Sequence, residues 1–150
     1  MKESIKTIQP AMMGQLGNAF LTWRRYLQKQ VAKHEVTLKQ FFVLRRLSKV
    51  AFLHPSQVAE LLFCDRPTAT VVINNLRKYG WVETMKDPLN RKFQQIMLTE
   101  QGKTKLNEIN QSMTLNPDQL FDPLACFSTE EKQHFEALLE KLTNHLQIIA

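Results

Sequence analysis

The segment PSQVAELL at residues 55–62, followed after three residues by RPTATVVINNLRKY at residues 66–79, decides the fold of this chain. Pro55 suits the first turn of a helix, and the apolar residues of both segments recur at helical spacing. Asp65 is a good N-cap for the second helix, and Gly80 stands where a C-terminal glycine ends one. Because the connection is so short, the spacing predicts two helices joined as a helix-turn-helix.

A β-hairpin is predicted directly after these helices. The stretches Trp81–Lys86 and Lys92–Leu98 flank a turn-rich cluster, Asp87-Pro88-Leu89-Asn90, and polar and apolar residues alternate most clearly along the second stretch. A helix-turn-helix followed by a hairpin is a winged helix-turn-helix. We therefore predict a mainly α fold with a small β-hairpin wing (α+β), in which the wing carries a basic tip.

Further helices are predicted on both sides of this unit. A long helix spans residues 11–31, and the capping-box pattern Thr37-x-x-Gln40 begins a helix that runs to about Leu47, before a loop at residues 51–54. Thr99 can cap another helix, which Asn116-Pro117 ends or bends, and Ser128-x-x-Glu131 begins the last one. Their apolar stripes hold Met12, Met13, Leu16, Phe20, Trp23, Leu27 and Val31 in the first helix, and Phe135, Leu138, Leu139, Leu142, Leu146 and Ile149 in the last.

These two stripes exceed what one small winged domain can cover. A symmetric dimer would bury them and would place two recognition helices about one DNA turn apart, roughly 34 Å. The alternative is that both stripes form intrachain core. We assign residues 37–99 to the winged helix-turn-helix and residues 11–33 and 100–149 to dimerisation helices of a homodimer.

The second helix of the pair has the features of a recognition helix for double-stranded DNA. A helix fits the major groove, where Asn pairs with adenine, Arg with guanine, and Thr or an apolar side chain with the thymine methyl group. Basic residues near its end suit phosphates, and an Arg at the wing tip suits a narrow minor groove. The predicted DNA-binding residues are Arg66, Thr68, Thr70, Val71, Asn74, Arg77, Lys78, Lys86, Arg91 and Lys92.

At this point the sequence resembles the MarR family of bacterial transcriptional regulators. The matching stretches include Thr37-Leu38-Lys39-Gln40-Phe41, Val58-Ala59-Glu60-Leu61-Leu62, Asp87-Pro88-Leu89-Asn90-Arg91-Lys92 and Leu98-Thr99-Glu100-Gln101-Gly102. The resemblance implies a homodimeric repressor on a pseudo-palindromic operator. It also implies a small aromatic or amphipathic effector, bound between the dimerisation helices and the winged domain, where Phe20, Trp23 and Phe42 could line a pocket.

The sequence departs from the family pattern at four positions. Phe63 stands where the family's turn often has Gly, so the helix-turn-helix connection is expected to differ. Val71 replaces a basic recognition residue of many members, and for Val71 an ordinary exposed side chain is the alternative to a thymine contact. Asn90 and Lys92 replace the more usual Asp and Arg of the wing. These departures affect the operator sequence rather than the fold.

Charge and composition agree with a DNA-binding protein but do not identify one. The net charge is +6, and 10 basic against 2 acidic side chains fall within residues 1–50, outside the predicted DNA surface. We interpret Arg24, Arg25, Lys29 and Lys33 as a solvated helix face. No apolar run approaches the ~20 residues of a membrane span, and no signal-peptide pattern opens the chain, so a cytoplasmic, nucleoid-associated protein is expected.

The sequence gives weaker support to an enzyme, a metal-binding protein, a redox sensor or a protein-interaction module. The four histidines are scattered, the two cysteines lie far apart, and no phosphate-binding or nucleophile motif occurs, so we expect no enzyme, metal or cofactor. Cys64 precedes a helix N-terminus, which would suit a redox-sensing regulator, but a small buried turn residue is the simpler interpretation. A protein-interaction module on the same fold is the other alternative.

Overall fold

The computed structural model describes residues 11–113 and 122–150. The chain divides into two compact units, one ending at Met113 and one beginning at Thr114, and each is described by itself. The described elements are α1 (Met12–Ala32), α2 (Leu38–Leu47), α3 (Pro55–Leu62), α4 (Arg66–Lys78), β1 (Val82–Lys86), β2 (Gln94–Leu98), α5 (Glu100–Ser112) and α6 (Thr129–Ile149). The mainly α fold with a hairpin wing is thus as predicted.

The predicted helix caps are present. The Thr37 N–H donates to Gln40 Oε1 at 2.9 Å while Thr37 Oγ1 accepts from the Gln40 N–H at 3.1 Å, which completes a capping box at α2. Asp65 Oδ1 accepts from the Thr68 N–H at 2.7 Å at the start of α4. These bonds satisfy backbone donors that have no partner inside the helix, and they fix where each helix begins.

The hydrophobic core lies beneath the helix-turn-helix. The apolar faces of α2, α3 and α4 are buried against one another, as their periodicity predicts, whereas α1 contributes only its last turns and leaves Phe20 about half exposed. In the described residues, the first half of the α1 stripe is therefore mostly exposed, with Leu16 half-buried. The buried apolar residues of these helices include Leu27, Val31, Phe41, Leu44, Leu47, Val58, Leu62, Ala69, Val72, Ile73 and Leu76.

A glycine ends α4, as expected. Gly80 has φ +74°, its N–H donates to Arg77 O at 3.0 Å, and the Trp81 N–H donates to Leu76 O at 3.0 Å. This is the pair of bonds of a Schellman motif. Trp81 then stacks on Tyr79, with 4.6 Å between ring centroids, so the chain leaves the helix in a fixed direction toward the wing.

The wing is an antiparallel pair in which Val82 faces Leu98 and Lys86 faces Gln94. Both strands are slightly shorter than predicted. The predicted loop at residues 51–54 needs a correction, because Leu53 forms a two-bond bridge to Ile96, with N···O distances of 2.9 and 2.8 Å. This bridge ties the segment before α3 to the wing.

Helix α5 packs on the winged unit through a close approach. Thr99 Oγ1 accepts from the Gly102 N–H at 3.0 Å and donates to Gly80 O at 2.6 Å. A Cβ at position 102 would collide with the Trp81 carbonyl oxygen and would lie 2.7 Å from Leu98 Cδ1. Glycine is required here, and Leu106, Ile109 and Met113 complete the packing as buried residues.

The second unit consists of a short turn segment and α6. The predicted capping box is present: the Ser128 N–H donates to Glu131 Oε2 at 2.8 Å, and Ser128 Oγ accepts from the Glu131 N–H at 3.2 Å. None of the residues of α6 is buried, and Leu138 and Ile149 are about two-thirds exposed. Phe135 packs on Phe127, with 5.6 Å between ring centroids, so the apolar stripe is only partly covered within this unit. The predicted break at residues 116–117 lies outside the described residues.

Candidate DNA-binding surface

The predicted recognition residues of α4 lie on its exposed side. Arg66, Thr70 and Asn74 are exposed, and Val71 is 59% exposed, whereas Thr68 is half-buried. The Thr70 hydroxyl donates to Arg66 O at 2.9 Å, so its proton is used within the helix and its methyl group and lone pairs remain for a ligand. The face offers guanidinium, amide and methyl groups, which are the groups that distinguish base pairs in the major groove.

The N-terminus of α4 is fixed by an ionised cap. The hydrogen bond from the Thr68 side chain, then the bond from its backbone N–H, hold the pKa of Asp65 below its ordinary value, and the nearby Lys39 charge acts in the same direction. Asp65 stays a carboxylate at neutral pH and keeps accepting these bonds. The ionised cap therefore stabilises the first turn of α4.

Arg77, in the last turn of α4, connects this helix to the wing. Its Nη2 is 3.4 Å from Asn74 Oδ1 on the same helix, and its Nη1 is 3.4 Å from Thr84 Oγ1 on β1. Arg77, predicted to bind phosphate, therefore also links α4 to β1. Lys78, next to it, is exposed.

The wing tip presents its predicted cations on a tightly folded turn. Asp87 Oδ1 accepts from the Leu89 N–H at 2.8 Å, and Asn90 Oδ1 accepts from the Lys92 N–H at 3.2 Å. Such side-chain turns hold a short loop in one conformation. Lys86, Arg91 and Lys92 are all exposed around this turn.

His54 is a residue that the sequence did not point to. It is the N-cap residue of α3, its Nδ1 lies 2.9 Å from Gln94 O in β2, and its Nε2 lies 3.7 Å from Asp87 Oδ2 at the wing turn. No local spacing relates it to partners 33 and 40 residues away. The sequence placed His54 only at the end of the predicted loop at residues 51–54.

The turn between α3 and α4 forms despite its departure from the family pattern. Phe63 itself takes the left-handed conformation, with φ +50°, that a glycine would supply at lower cost, and its side chain is 94% exposed. Cys64 is half-buried rather than buried, which corrects the expectation of a buried turn residue, and Cys126 is exposed.

The three predicted pocket residues come together at one cavity of about 500 Å³. Trp23 lies 6.0 Å from Phe20 and 6.1 Å from Phe42, measured between ring centroids. The indole Nε1–H of Trp23 is buried without a hydrogen-bond partner in the described part of the chain. The other lining residues come from α1, α2, the end of α3 and the turn that follows it: Arg24, Leu38, Lys39, Leu61, Leu62 and Phe63.

Residues 11–113 and 122–150 contain no group of three or more His, Cys, Asp or Glu side chains arranged to hold a metal ion. Among the helices of the same ranges, none is long and apolar enough to cross a membrane.

Comparison with known proteins finds a family match for the helix-turn-helix region. The MarR family model matches residues 36–92, which contain α2, α3, α4, β1 and the wing turn. Residues 36–92 of the chain match a MarR-family domain. Among curated relatives, the transcriptional regulator PecS of Dickeya dadantii is 29% identical over 93% of this chain and 84% of that protein. The transcriptional repressor MprA of Escherichia coli is 31% identical over 63% of this chain and 52% of that protein.

Solved structures support the same fold. A mutant of Escherichia coli MarR complexed with operator DNA superposes with a TM-score of 0.69 at 23% identity, covering 87% of this chain and 92% of that protein. BpsR of Bordetella bronchiseptica, whose DNA binding is regulated by 6-hydroxynicotinic acid, superposes with a TM-score of 0.70 at 20% identity. The superposition covers 91% of this chain and 95% of that protein. These likenesses establish a winged-helix fold shared with transcriptional regulators.

Proposed function

We propose that this chain binds a pseudo-palindromic operator as a homodimer and represses transcription. The observation that carries the proposal is that one compact unit presents both an exposed recognition face on α4 and a rigid basic wing. The first reads base edges in the major groove and the second reaches the adjoining minor groove. The operator complex of Escherichia coli MarR, which has the same fold, supports this assignment.

Exposed apolar residues at both ends of the chain support the homodimer. In the first unit, Met12 is 83% exposed and Phe20 49% exposed; in the second, Ile148 is 84% exposed. Helices that expose such stripes are partly uncovered within their own unit and gain stability by association. A two-fold axis would then present two recognition helices to two operator half-sites.

The cavity between α1, α2 and the helix-turn-helix turn is proposed as an effector site. Its wall is aromatic at Phe20, Trp23 and Phe42, and its cations are Arg24 and Lys39. Trp23 also brings a buried N–H donor that has no hydrogen-bond partner among residues 11–113 and 122–150. These groups suit a small aromatic molecule with an acidic substituent. Regulation of BpsR by an aromatic acid supports this ligand class.

The cavity lies next to the start of α4, so a bound ligand would affect the DNA-binding surface. Lys39 lines it and at the same time acts electrostatically on Asp65, which caps the recognition helix. Phe63 lines it from the turn that leads into α4. A ligand would change the DNA affinity only by the difference between its own affinities for the DNA-competent and DNA-incompetent states.

The test is selection of bound genomic fragments by the purified chain, followed by footprinting. We expect protection of two symmetric half-sites and an affinity that falls steeply as salt rises. Protection of a single half-site would contradict the homodimer, and uniform weak binding to all fragments would contradict sequence-specific regulation. Transcription from a promoter that contains the protected site should fall when the chain is present.

A further inference from the structure

We propose that Phe63 is a ligand-contacting residue of the effector cavity: its ring closes over a flat aromatic acid bound against Trp23 and so selects flat ligands over puckered ones. The inference rests on the effector site proposed above. Its evidence is a side chain that occupies an unfavourable backbone position and is left exposed at the edge of that cavity.

The backbone of Phe63 has a conformation that disfavours any side chain. Its φ is +50°, and in this left-handed region Cβ comes too close to the following carbonyl oxygen. The Phe63 N–H donates to Glu60 O at 3.2 Å and the Cys64 N–H donates to Ala59 O at 3.1 Å, which is the pair of bonds that ends a helix in a Schellman motif. Glycine would form the same two bonds at lower cost, so the turn does not explain a phenylalanine.

Packing within the chain does not explain the phenylalanine either. Phe63 is 94% exposed, so its ring gains little from burial in the free protein. Strained residues persist where the surrounding structure or a function requires them, and they cluster at ligand-binding sites. An exposed ring on a strained backbone therefore indicates a residue that acts on a bound molecule.

The cavity beside Phe63 identifies where that molecule binds. Phe63 lines it together with Phe20, Trp23 and Phe42, and the last three already form an aromatic wall. Rotation about the side-chain bonds moves an exposed ring without breaking the two backbone bonds of the turn. A flat ligand ring against Trp23 then meets the Phe63 ring on its other side, and ring–ring contact and burial favour closure.

Polar groups of the cavity define the rest of the ligand. Arg24 and Lys39 line it and suit a carboxylate, because both carry a positive charge. The Trp23 indole N–H is buried without a hydrogen-bond partner among residues 11–113 and 122–150, and it suits an acceptor on the ligand ring. The ligand class is therefore a flat heteroaromatic acid, of which 6-hydroxynicotinic acid is the probe.

Titration calorimetry on the full chain tests the ring. Phe63→Ala should bind 6-hydroxynicotinic acid about two- to tenfold more weakly than the parent chain, and Phe63→Tyr, which keeps the ring, should bind it as the parent does. Cyclohexanecarboxylic acid has the carboxylate but a puckered ring, so Phe63→Ala should leave its affinity unchanged. Leu89→Ala is the control: Leu89 is 97% exposed and does not line the cavity.

A second pair of variants tests the backbone without ligand. Phe63→Gly should raise the melting temperature by roughly 2–4 °C, because the strain disappears and little packing is lost. It should also bind the acid as weakly as Phe63→Ala. Glu35, with φ +58°, is strained in the same way but does not line the cavity. Glu35→Gly should therefore give a similar rise in melting temperature with unchanged affinity for the acid.

The outcomes separate this inference from the effector site itself. If the parent chain and Phe63→Ala bind 6-hydroxynicotinic acid equally, the inference fails and the effector site stands. If the parent chain does not bind the acid, both fail. A lower melting temperature of Phe63→Gly would also overturn the inference, because it would mean that the ring is packed in the free protein. In the complex, NMR should detect a nuclear Overhauser effect between the Phe63 ring and the ring of the acid, and its absence would count against closure.

Discussion

Arg77 in the recognition helix donates to Thr84 in the first strand of the wing, with 3.4 Å between Nη1 and Oγ1. The two parts that would enter neighbouring grooves of DNA are thus joined by a side chain that is itself a candidate phosphate ligand. The same guanidinium reaches Asn74 on the recognition face. Loss of Arg77 would therefore disturb both positioning and charge.

Arg77→Ala should weaken operator binding more than Lys78→Ala does. Both variants remove one exposed cation from the end of α4, but only Arg77 has the contact with Thr84. If each cation meets a phosphate, the slope of log affinity against log salt should fall by about 1 in either variant. Equal losses of affinity, measured by fluorescence anisotropy at several salt concentrations, would mean that the link to the wing contributes nothing.

Arg91→Ala should reduce operator affinity by roughly tenfold or more, because an Arg in a narrow minor groove is strongly attracted there. The fold should be unaffected, since the side chain is exposed. Arg25→Ala on α1, interpreted as part of a solvated face, is the matched control and should leave affinity nearly unchanged. Unaltered affinity in Arg91→Ala would show that the wing does not contact the operator.

Gly102→Ala should destabilise the chain by about 1–3 kcal/mol, because the new methyl group would collide with Trp81 O and crowd Leu98 Cδ1. Gly17→Ala in α1 is the control. No heavy atom lies within 4 Å of a Cβ there, so the better helix propensity of Ala should add about 0.5–1 kcal/mol. Thermal unfolding of both variants tests this, and a stabilised Gly102→Ala would show that the close approach is absent in solution.

Acid should weaken the cap of α4. The pKa of Asp65 is lower in the folded chain than its ordinary value, so its contribution to stability is present above the unfolded pKa and is lost as pH falls through the folded pKa. Asp65→Asn keeps a capping oxygen and removes the charge. The parent chain should melt at a higher temperature than Asp65→Asn near neutrality, and the difference should shrink as the pH falls below the ordinary Asp pKa of about 3.9. A difference in melting temperature that stays constant with pH would contradict an electrostatic role of Asp65. Glu83→Gln is the control, because it removes a carboxylate elsewhere in the chain.

Trp23 should report ligand entry. In the Trp81→Phe background Trp23 is the remaining tryptophan. We expect 6-hydroxynicotinic acid to change its fluorescence and to release operator DNA over the same concentration range. Phe42→Ala, which removes part of the cavity wall, should weaken both effects. A fluorescence change that Phe42→Ala leaves intact would place the acid outside this cavity.

Much of the fold follows from local chemistry. Capping boxes at Thr37 and Ser128, the N-cap at Asp65 and the glycine at Gly80 each depend on residues within a few positions of one another. Such signals can be seen in the sequence because the atoms that bond are also neighbours along the chain. The exposed cations were also predictable from local sequence. In α4 the apolar face defines the opposite, exposed face, and in the wing the cations lie at or next to the turn-rich cluster.

Relations across the chain required the tertiary structure. The sequence by itself determined where the helices and the hairpin lie, and which side chains of α4 point away from its apolar face. Only the folded chain paired Leu53 with Ile96, set Gly102 against Trp81, and brought His54 to Asp87. The physical reason is that the contact partners lie from about 20 to about 40 residues apart, so no periodicity or spacing rule relates them, and packing of the apolar faces alone brings them together.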